Sequence, residues 1–261
     1  EKISKSGTQP IIGTQINFKF SETIGLLPLF ALNEEGYKRI IELSSLSFLN
    51  DNEMSEPYLD FEKLLEKNDG VAIFSGTVNG LFGQLFDKGK TSEIDECYSK
   101  IKSKFHDRFY IEIQRHNDQN ENIFEKFNLK KSSEFEIPLI ATNEVYYIDK
   151  DMHEAHDALI CIKNKTYINE KNRLRLTDQH YLKNNSEMAE LFSDIPEALE
   201  NNYNFPYRCS FRPMFSKPIL PNISSEKGGN ADEILKKESL EGLKDKLIKD
   251  LVSGDYEIDE K

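Results

Sequence analysis

The sequence predicts an α/β fold in which parallel strands are joined by crossover helices, as either a barrel or a doubly wound sheet. Two observations carry this. Short apolar runs of strand type alternate with helical stripes from residue 9 to about residue 162. With 261 residues, 38% of them hydrophobic, the chain can also bury a substantial core.

The elements follow in order. Glu1-Lys-Ile-Ser-Lys-Ser-Gly7 reads as the last turn and glycine stop of a helix, and with no Met at position 1 the chain is expected to continue upstream. Residues 9–20 read as a strand, because Ile16, Phe18 and Phe20 alternate with Asn17 and Lys19. A second apolar run covers 26–32. Asn33 can cap a helix with Tyr37, Ile40, Ile41 and Ser44 on one face, and Asp60 one carrying Phe61, Leu64 and Leu65. Asn68-Asp69-Gly70 is a turn leading into the buried strand 71–74. From Ser92, the positions Ile94, Cys97, Tyr98, Ile101 and Phe105 trace a helical stripe. A strand at 109–113, a helix at 120–127, a strand at 137–141 and a helix starting at Asp149 or Asp151 and running through Ile162 complete the alternation.

Beyond Lys163 the pattern changes to polar segments, short helices and proline-rich connections, which places a domain boundary near residue 170. Ser224-Ser-Glu-Lys-Gly-Gly229 reads as a hinge before a helix capped by Asn230, with Ile234, Leu235, Leu243, Leu247 and Leu251 apolar. The end, 256–261, has neither cap nor core and reads as cut.

Composition excludes several function classes. The 46 acidic against 34 basic residues give a net charge of −12, which repels a phosphate backbone and argues against a dominant nucleic-acid surface. Cys97, Cys161 and Cys209 are few, odd in number and scattered, which suits a reducing cytoplasm and excludes a disulfide framework or a Cys-x-x-Cys zinc site. No run approaches the roughly 18 apolar residues of a membrane span, so no membrane partner is expected.

Isolated motifs are weak. His153-Glu-Ala-His156 spaces its histidines three apart rather than as His-Glu-x-x-His, so a solvated helix face with Asp157 as exposed acid is the plainer reading. Gly76-Thr-Val-Asn-Gly80 lacks the Lys-Ser/Thr of a phosphate loop and reads as a turn. Lys100, Lys102, Lys104, Lys130 and Lys131 are interspersed with acid and read as solvated surface. No Gly-x-Ser-x-Gly elbow supports a covalent hydrolase.

Several strings, in order, resemble the alpha-subunit family of bacterial DNA polymerase III. They include Gln9-Pro-Ile-Ile-Gly13, Asn33-Glu-Glu-Gly-Tyr37, Ile73-Phe-Ser-Gly76, Phe109-Tyr-Ile-Glu-Ile-Gln114 and Ala141-Thr-Asn-Glu144. Glu154-Ala-His-Asp157, Glu187-Met-Ala-Glu-Leu-Phe192 with Ile195-Pro-Glu-Ala-Leu199, and Arg208-Cys209 are similar to that family's segment joining the PHP (polymerase and histidinol phosphatase) region to the palm.

The resemblance implies a distorted (β/α)7 barrel of PHP type over 1–170, with its first strands missing, and a linker leading into the palm over 171–261. It implies a metal site in which Gln15 stands in place of Glu, Leu26 in place of His, and Glu144 with Tyr146 in place of Asp and His; Thr77 is a further departure where some members carry Cys. Glu112, His116 and Glu144 keep ligand chemistry at matching places as vestigial candidates, so no working metal site is expected. The acids that hold metal ions for nucleotide addition lie in the family's palm. The chain is therefore expected to hold no catalytic residue or cofactor, magnesium belonging to the palm. The implied partners are the proofreading exonuclease subunit, other replicase subunits and, for the parent polymerase, primer-template DNA. The competing expectations are a metal-dependent PHP phosphoesterase or 3′-to-5′ exonuclease, and a free-standing phosphatase, which the segment after residue 170 disfavours.

Overall fold

Helix α1 (Lys2–Lys5) stops, as its sequence predicts, at Gly7, whose φ of 81° is the left-handed stop. Strand β1 (Gly13–Phe20) reverses through Ser21 and Glu22 into β2 (Thr23–Ala31), with Phe20 opposite Thr23. The two-residue loop makes this pair an antiparallel hairpin, and Ser21 adopts φ 51° to close it. This computed structural model describes residues 2–49, 56–66, 68–214, 217–218 and 230–253. The expected hinge at 224–229 and the end at 256–261 lie outside them.

Helix α2 (Glu34–Leu49) begins where Asn33 Oδ1 accepts from Gly36 N at 3.0 Å. Its buried face is Gly36, Ile40, Leu43 and Ser47, so the stripe expected through Ile41 is rotated, leaving Ile41 47% exposed. Gly36 has to be glycine, since an added Cβ would meet Gly70 O at 1.8 Å. Next come β3 (Leu59–Asp60), α3 (Phe61–Glu66) and β4 (Val71–Phe74). Helix α4 (Leu81–Asp87), unanticipated in the sequence, follows the turn at 76–80. Helix α5 (Thr91–Phe105) buries the expected stripe, Ile94, Cys97, Tyr98, Ile101 and Phe105. Then come β5 (Phe109–Ile113), α6 (Glu121–Phe135), β6 (Leu139–Ala141) and α7 (His153–Asn164). Helix α6 outruns its expected end because Lys131, expected in solvent, is buried and paired with Asp95 at 2.6 Å and Glu134 at 3.0 Å.

The six strands form one sheet in the order β3-β1-β2-β4-β5-β6. Pairs β1–β3, β4–β5 and β5–β6 are parallel, as expected, but β1–β2 and β2–β4 are antiparallel, so the sheet is mixed. Among the described residues β3 and β6 are its edges. The α/β architecture is consistent with a distorted PHP-type barrel, while the described strands stop short of closure.

Strand alternation divides the interior. Val71, Ile73, Phe109, Ile111, Leu139 and Ala141 face the main core with α5, whereas Ala72, Phe74, Tyr110 and Ile140 face a second cluster with Phe205 and Cys209. The second face also carries Glu112, two residues beyond Tyr110.

The first compact unit is Glu1–Pro213, and the boundary expected near residue 170 falls inside it. The reason is edge satisfaction. Helix α8 (Asn185–Leu191) and helix α9 (Pro196–Asn204) follow β6, and α9 sends Asn201 Nδ2 to Leu139 O at 2.8 Å and Asn202 Nδ2 to Ala141 O at 2.7 Å. Those amides take β6 carbonyls that would otherwise lack partners. The second unit, Met214–Lys261, contains α10 (Ala231–Ser253). Among the described residues no helix is long and apolar enough to cross a membrane.

Candidate functional site

A cleft of about 260 Å³ opens where β4, β5 and β6 end. Parallel strands deliver their following loops to one rim, the usual place for a site in such sheets. Because β2 runs antiparallel to β4, its beginning reaches the same rim. Leu26 and Pro28 therefore join Gln15, which pairs with Pro28 across the hairpin. Thr77 arrives from the loop after β4, and Glu144 and Tyr146 from the loop after β6. Five positions singled out in the sequence, Gln15, Leu26, Thr77, Glu144 and Tyr146, thus meet around one cavity.

Glu112 lies deeper, facing an adjoining cavity that shares Gly76 and Thr77 with the cleft. Thr142 Oγ1 and Gln114 Nε2 donate to its Oε1, the latter at 3.1 Å. Its Oε2 has no direct hydrogen-bond partner. Burial, with a smaller push from the Glu144 charge, moves the Glu112 carboxyl up from the ordinary range, against the pull of Thr142, Gln114 and the Gly76 backbone.

His116, 1% exposed, is held on several sides. Its backbone N–H donates to Glu121 at 2.9 Å, and its Nε2 lies 3.2 Å from Glu144 N and 3.0 Å from Asn143 Oδ1. Against it stacks His180, with ring centroids 4.1 Å apart and planes 7° from parallel. His180 reaches the site through the pairing of Tyr147 with Tyr181 and the bond from Tyr146 N to His180 O at 3.0 Å. Its Nδ1 faces Glu144 O at 3.2 Å, and its Nε2 stands 3.5 Å from Asp118 Oδ2, an ion-pair spacing longer than a good hydrogen bond. Burial disfavours the charged ring, but Asp118 and the Glu144 carbonyl outweigh it and raise the His180 pKa; Asp118 is correspondingly lowered by His180.

His116, Asp118 and His180 bring one ligand atom each to within 4.8 Å of one another, a cluster capable of coordinating a metal ion. The sequence reading named His116 but missed Asp118 and His180. His180 lies 64 residues along the chain, in a polar stretch with no periodic signal. Glu144 lines the cleft, and its carboxylate accepts from Tyr146 Oη at 3.0 Å. Burial and the neighbouring Glu144 charge push the Tyr146 phenol up to about 12.

Other motif residues have structural duties. His153 Nε2 contacts Leu176 O at 2.9 Å. Asp157, expected in solvent, is buried and clamped by Arg173 through contacts of 2.5 and 2.7 Å. Arg115 braces the loop beside His116, bridging Glu125 and Asp194 and lying over the Phe192 ring at 4.9 Å.

Residues 1–116 match the family model described as PHP domain. Over 255 residues the chain is 35% identical to the DNA polymerase III subunit alpha of Caulobacter vibrioides, covering 93% of this chain and 22% of that protein. The subunit of Rickettsia conorii is 35% identical over 243 residues, at 92% and 20% coverage, and that of Vibrio cholerae 31% identical over 246, at 92% and 21%. The chain spans about a fifth of the length of these curated relatives. Similarity maintained across several genera, together with the domain match, makes this chain a homologue of the PHP-domain region of bacterial DNA polymerase III alpha subunits.

Proposed function

We propose that this chain is a non-catalytic scaffold and docking part of a cytoplasmic replicative DNA-directed DNA polymerase, a nucleotidyltransferase that extends primers on template DNA. Its surface would receive the proofreading exonuclease subunit and other replicase subunits. Magnesium and the catalytic acids would belong to the palm. The observation that carries the reading is the lining of the cleft, where Leu26 and Tyr146 stand among the positions that the resemblance assigns to ligands.

The donors fit a PHP metal group poorly. Leu26 offers no ligand atom and Gln15 only a neutral amide. Tyr146, with its proton held to about 12, donates to Glu144 instead of offering a phenolate. Glu112 Oε1 is already engaged by Thr142 and Gln114. The stacking of His116 on His180 also opposes shared coordination. Imidazole lone pairs lie in the ring plane, and with nearly parallel rings 4.1 Å apart an ion in one plane lies outside the other.

The His116–Asp118–His180 cluster favours a second reading, a metal-dependent phosphoesterase or 3′-to-5′ exonuclease, if one ring rotates. Metal analysis separates the two. The scaffold reading expects no stoichiometric zinc or manganese after equilibration with either ion. Stoichiometric metal that disappears in Glu112→Ala, Glu144→Ala or His180→Ala would overturn it.

A further inference from the structure

The cleft has a charge pattern that the loss of a metal group leaves unexplained. Among the described residues, the ionisable side chains on its wall are Asp118, Glu144, Tyr146 and His180, with no Lys or Arg. His180 is 1% exposed, and its Nε2 has no hydrogen-bond partner. Its Nδ1 faces the Glu144 carbonyl oxygen at 3.2 Å, and its Nε2 stands 3.5 Å from Asp118 Oδ2. The carboxylates of Asp118 and Glu144 on the wall call for a cation rich in N–H donors, and the exposed face of Tyr146 adds an aromatic wall suited to it.

The cleft also continues. Tyr146, Leu174 and Leu176 line both it and a second, largely apolar groove of about 450 Å³, whose other wall is α7 with His156, Leu159 and Ile160 and, at its end, Lys163 and Asn164. Leu159 and Leu174 are 59% and 61% exposed, large apolar groups at the mouth of a groove.

We propose that cleft and groove form one docking site for an extended segment of a partner protein, carrying an arginine flanked by apolar side chains. The guanidinium enters beside Asp118, Glu144 and His180 against Tyr146. The neighbouring apolar side chains lie along Leu159, Ile160 and Leu174. An anionic segment is opposed by both carboxylates. This rests on the docking role proposed above and specifies the chemistry of what docks.

The test is calorimetric titration of the full chain, in EDTA, with acetyl-Leu-Leu-Arg-Leu-Leu-amide and with the same peptide carrying citrulline, a neutral isostere, for arginine. Leucines on both sides serve either chain direction. The arginine peptide should bind about tenfold more tightly, the scale of one partly desolvated charge pair. Glu144→Gln should abolish most of that preference, while Leu159→Ser should weaken both peptides alike. Equal affinity for the two peptides, no binding of either, or a preference unaffected by Glu144→Gln overturns the inference. So does a result in which zinc, added without EDTA, shifts the His180 ring resonances while the arginine peptide leaves them in place. The metal analysis above judges the scaffold reading independently of these outcomes.

Discussion

Glu112→Gln should stabilise the protein at neutral pH, an unusual expectation for a residue at a position assigned to a ligand. The carboxylate is buried, its Oε2 is unpartnered, and burial raises its pKa. A raised carboxyl pKa means that the folded state binds the proton more tightly than the unfolded chain. Its contribution is most favourable below the ordinary value near 4.5 and is lost as pH rises through the raised folded pKa. Glutamine keeps the acceptor that Thr142 and Gln114 use and removes the charge. Burying an ion costs several kcal/mol, on the order of 3 kcal/mol here given two donors. Leaving the new amide NH₂ without an acceptor returns about 1–2 kcal/mol. The net gain is about 1–2 kcal/mol at pH 7, or roughly 2–6 °C in Tm for a chain of this size. Urea unfolding of both proteins in EDTA at pH 7 and pH 4.5 measures it. The gain should shrink at the lower pH, where the raised carboxyl carries less of the buried charge. A loss of stability at pH 7, or a gain independent of pH, refutes the reasoning.

Two further outcomes follow from contacts outside the cleft. Asn201→Ala and Asn202→Ala should each cost about 1 kcal/mol in urea unfolding, because each leaves a β6 carbonyl unpartnered, and the double variant roughly 2 kcal/mol; no change would mean that water replaces the amides freely. Arg173 holds the Asp157 carboxyl below its ordinary 3.8, so that pair contributes stability above that value and loses it as pH falls through the folded pKa. Arg173→Gln should therefore move acid unfolding, followed by circular dichroism, to higher pH; an unchanged midpoint would remove the pair from the account.

The legible parts of the fold were those governed by local repetition. The stripe in α5 and the apolar runs of β4 and β5 declare their burial in a few consecutive residues. The hairpin did not, because Ser21 and Glu22 lack the Asn-Gly or Asp-Gly signal and the left-handed φ is imposed by strand pairing. Helix α4 was hidden because its seven residues, with Leu81, Phe82 and Leu85 buried, are too few to show a period. At the cleft, the resemblance located the positions contributed by strand ends. Asp118 and His180 escaped it because they reach the cleft through loop geometry, and long-range pairing such as Tyr147 with Tyr181 has no local signature. Asp157 and Lys131 were misplaced for a related reason. Each charge is buried by one partner that comes from elsewhere, Arg173 from beyond α7 and Asp95 from α5.

The two asparagines of α9 bear on more than stability. An edge strand with free carbonyls is a template on which another chain can build. By occupying Leu139 O and Ala141 O, α9 makes β6 a poor seed for self-association. A version of the chain shortened to residue 170 would keep the six described strands and lose that guard. Its failure would show as insolubility rather than as a missing core, and the 171–213 segment is accordingly the part of the sequence that shields the β6 edge of this sheet.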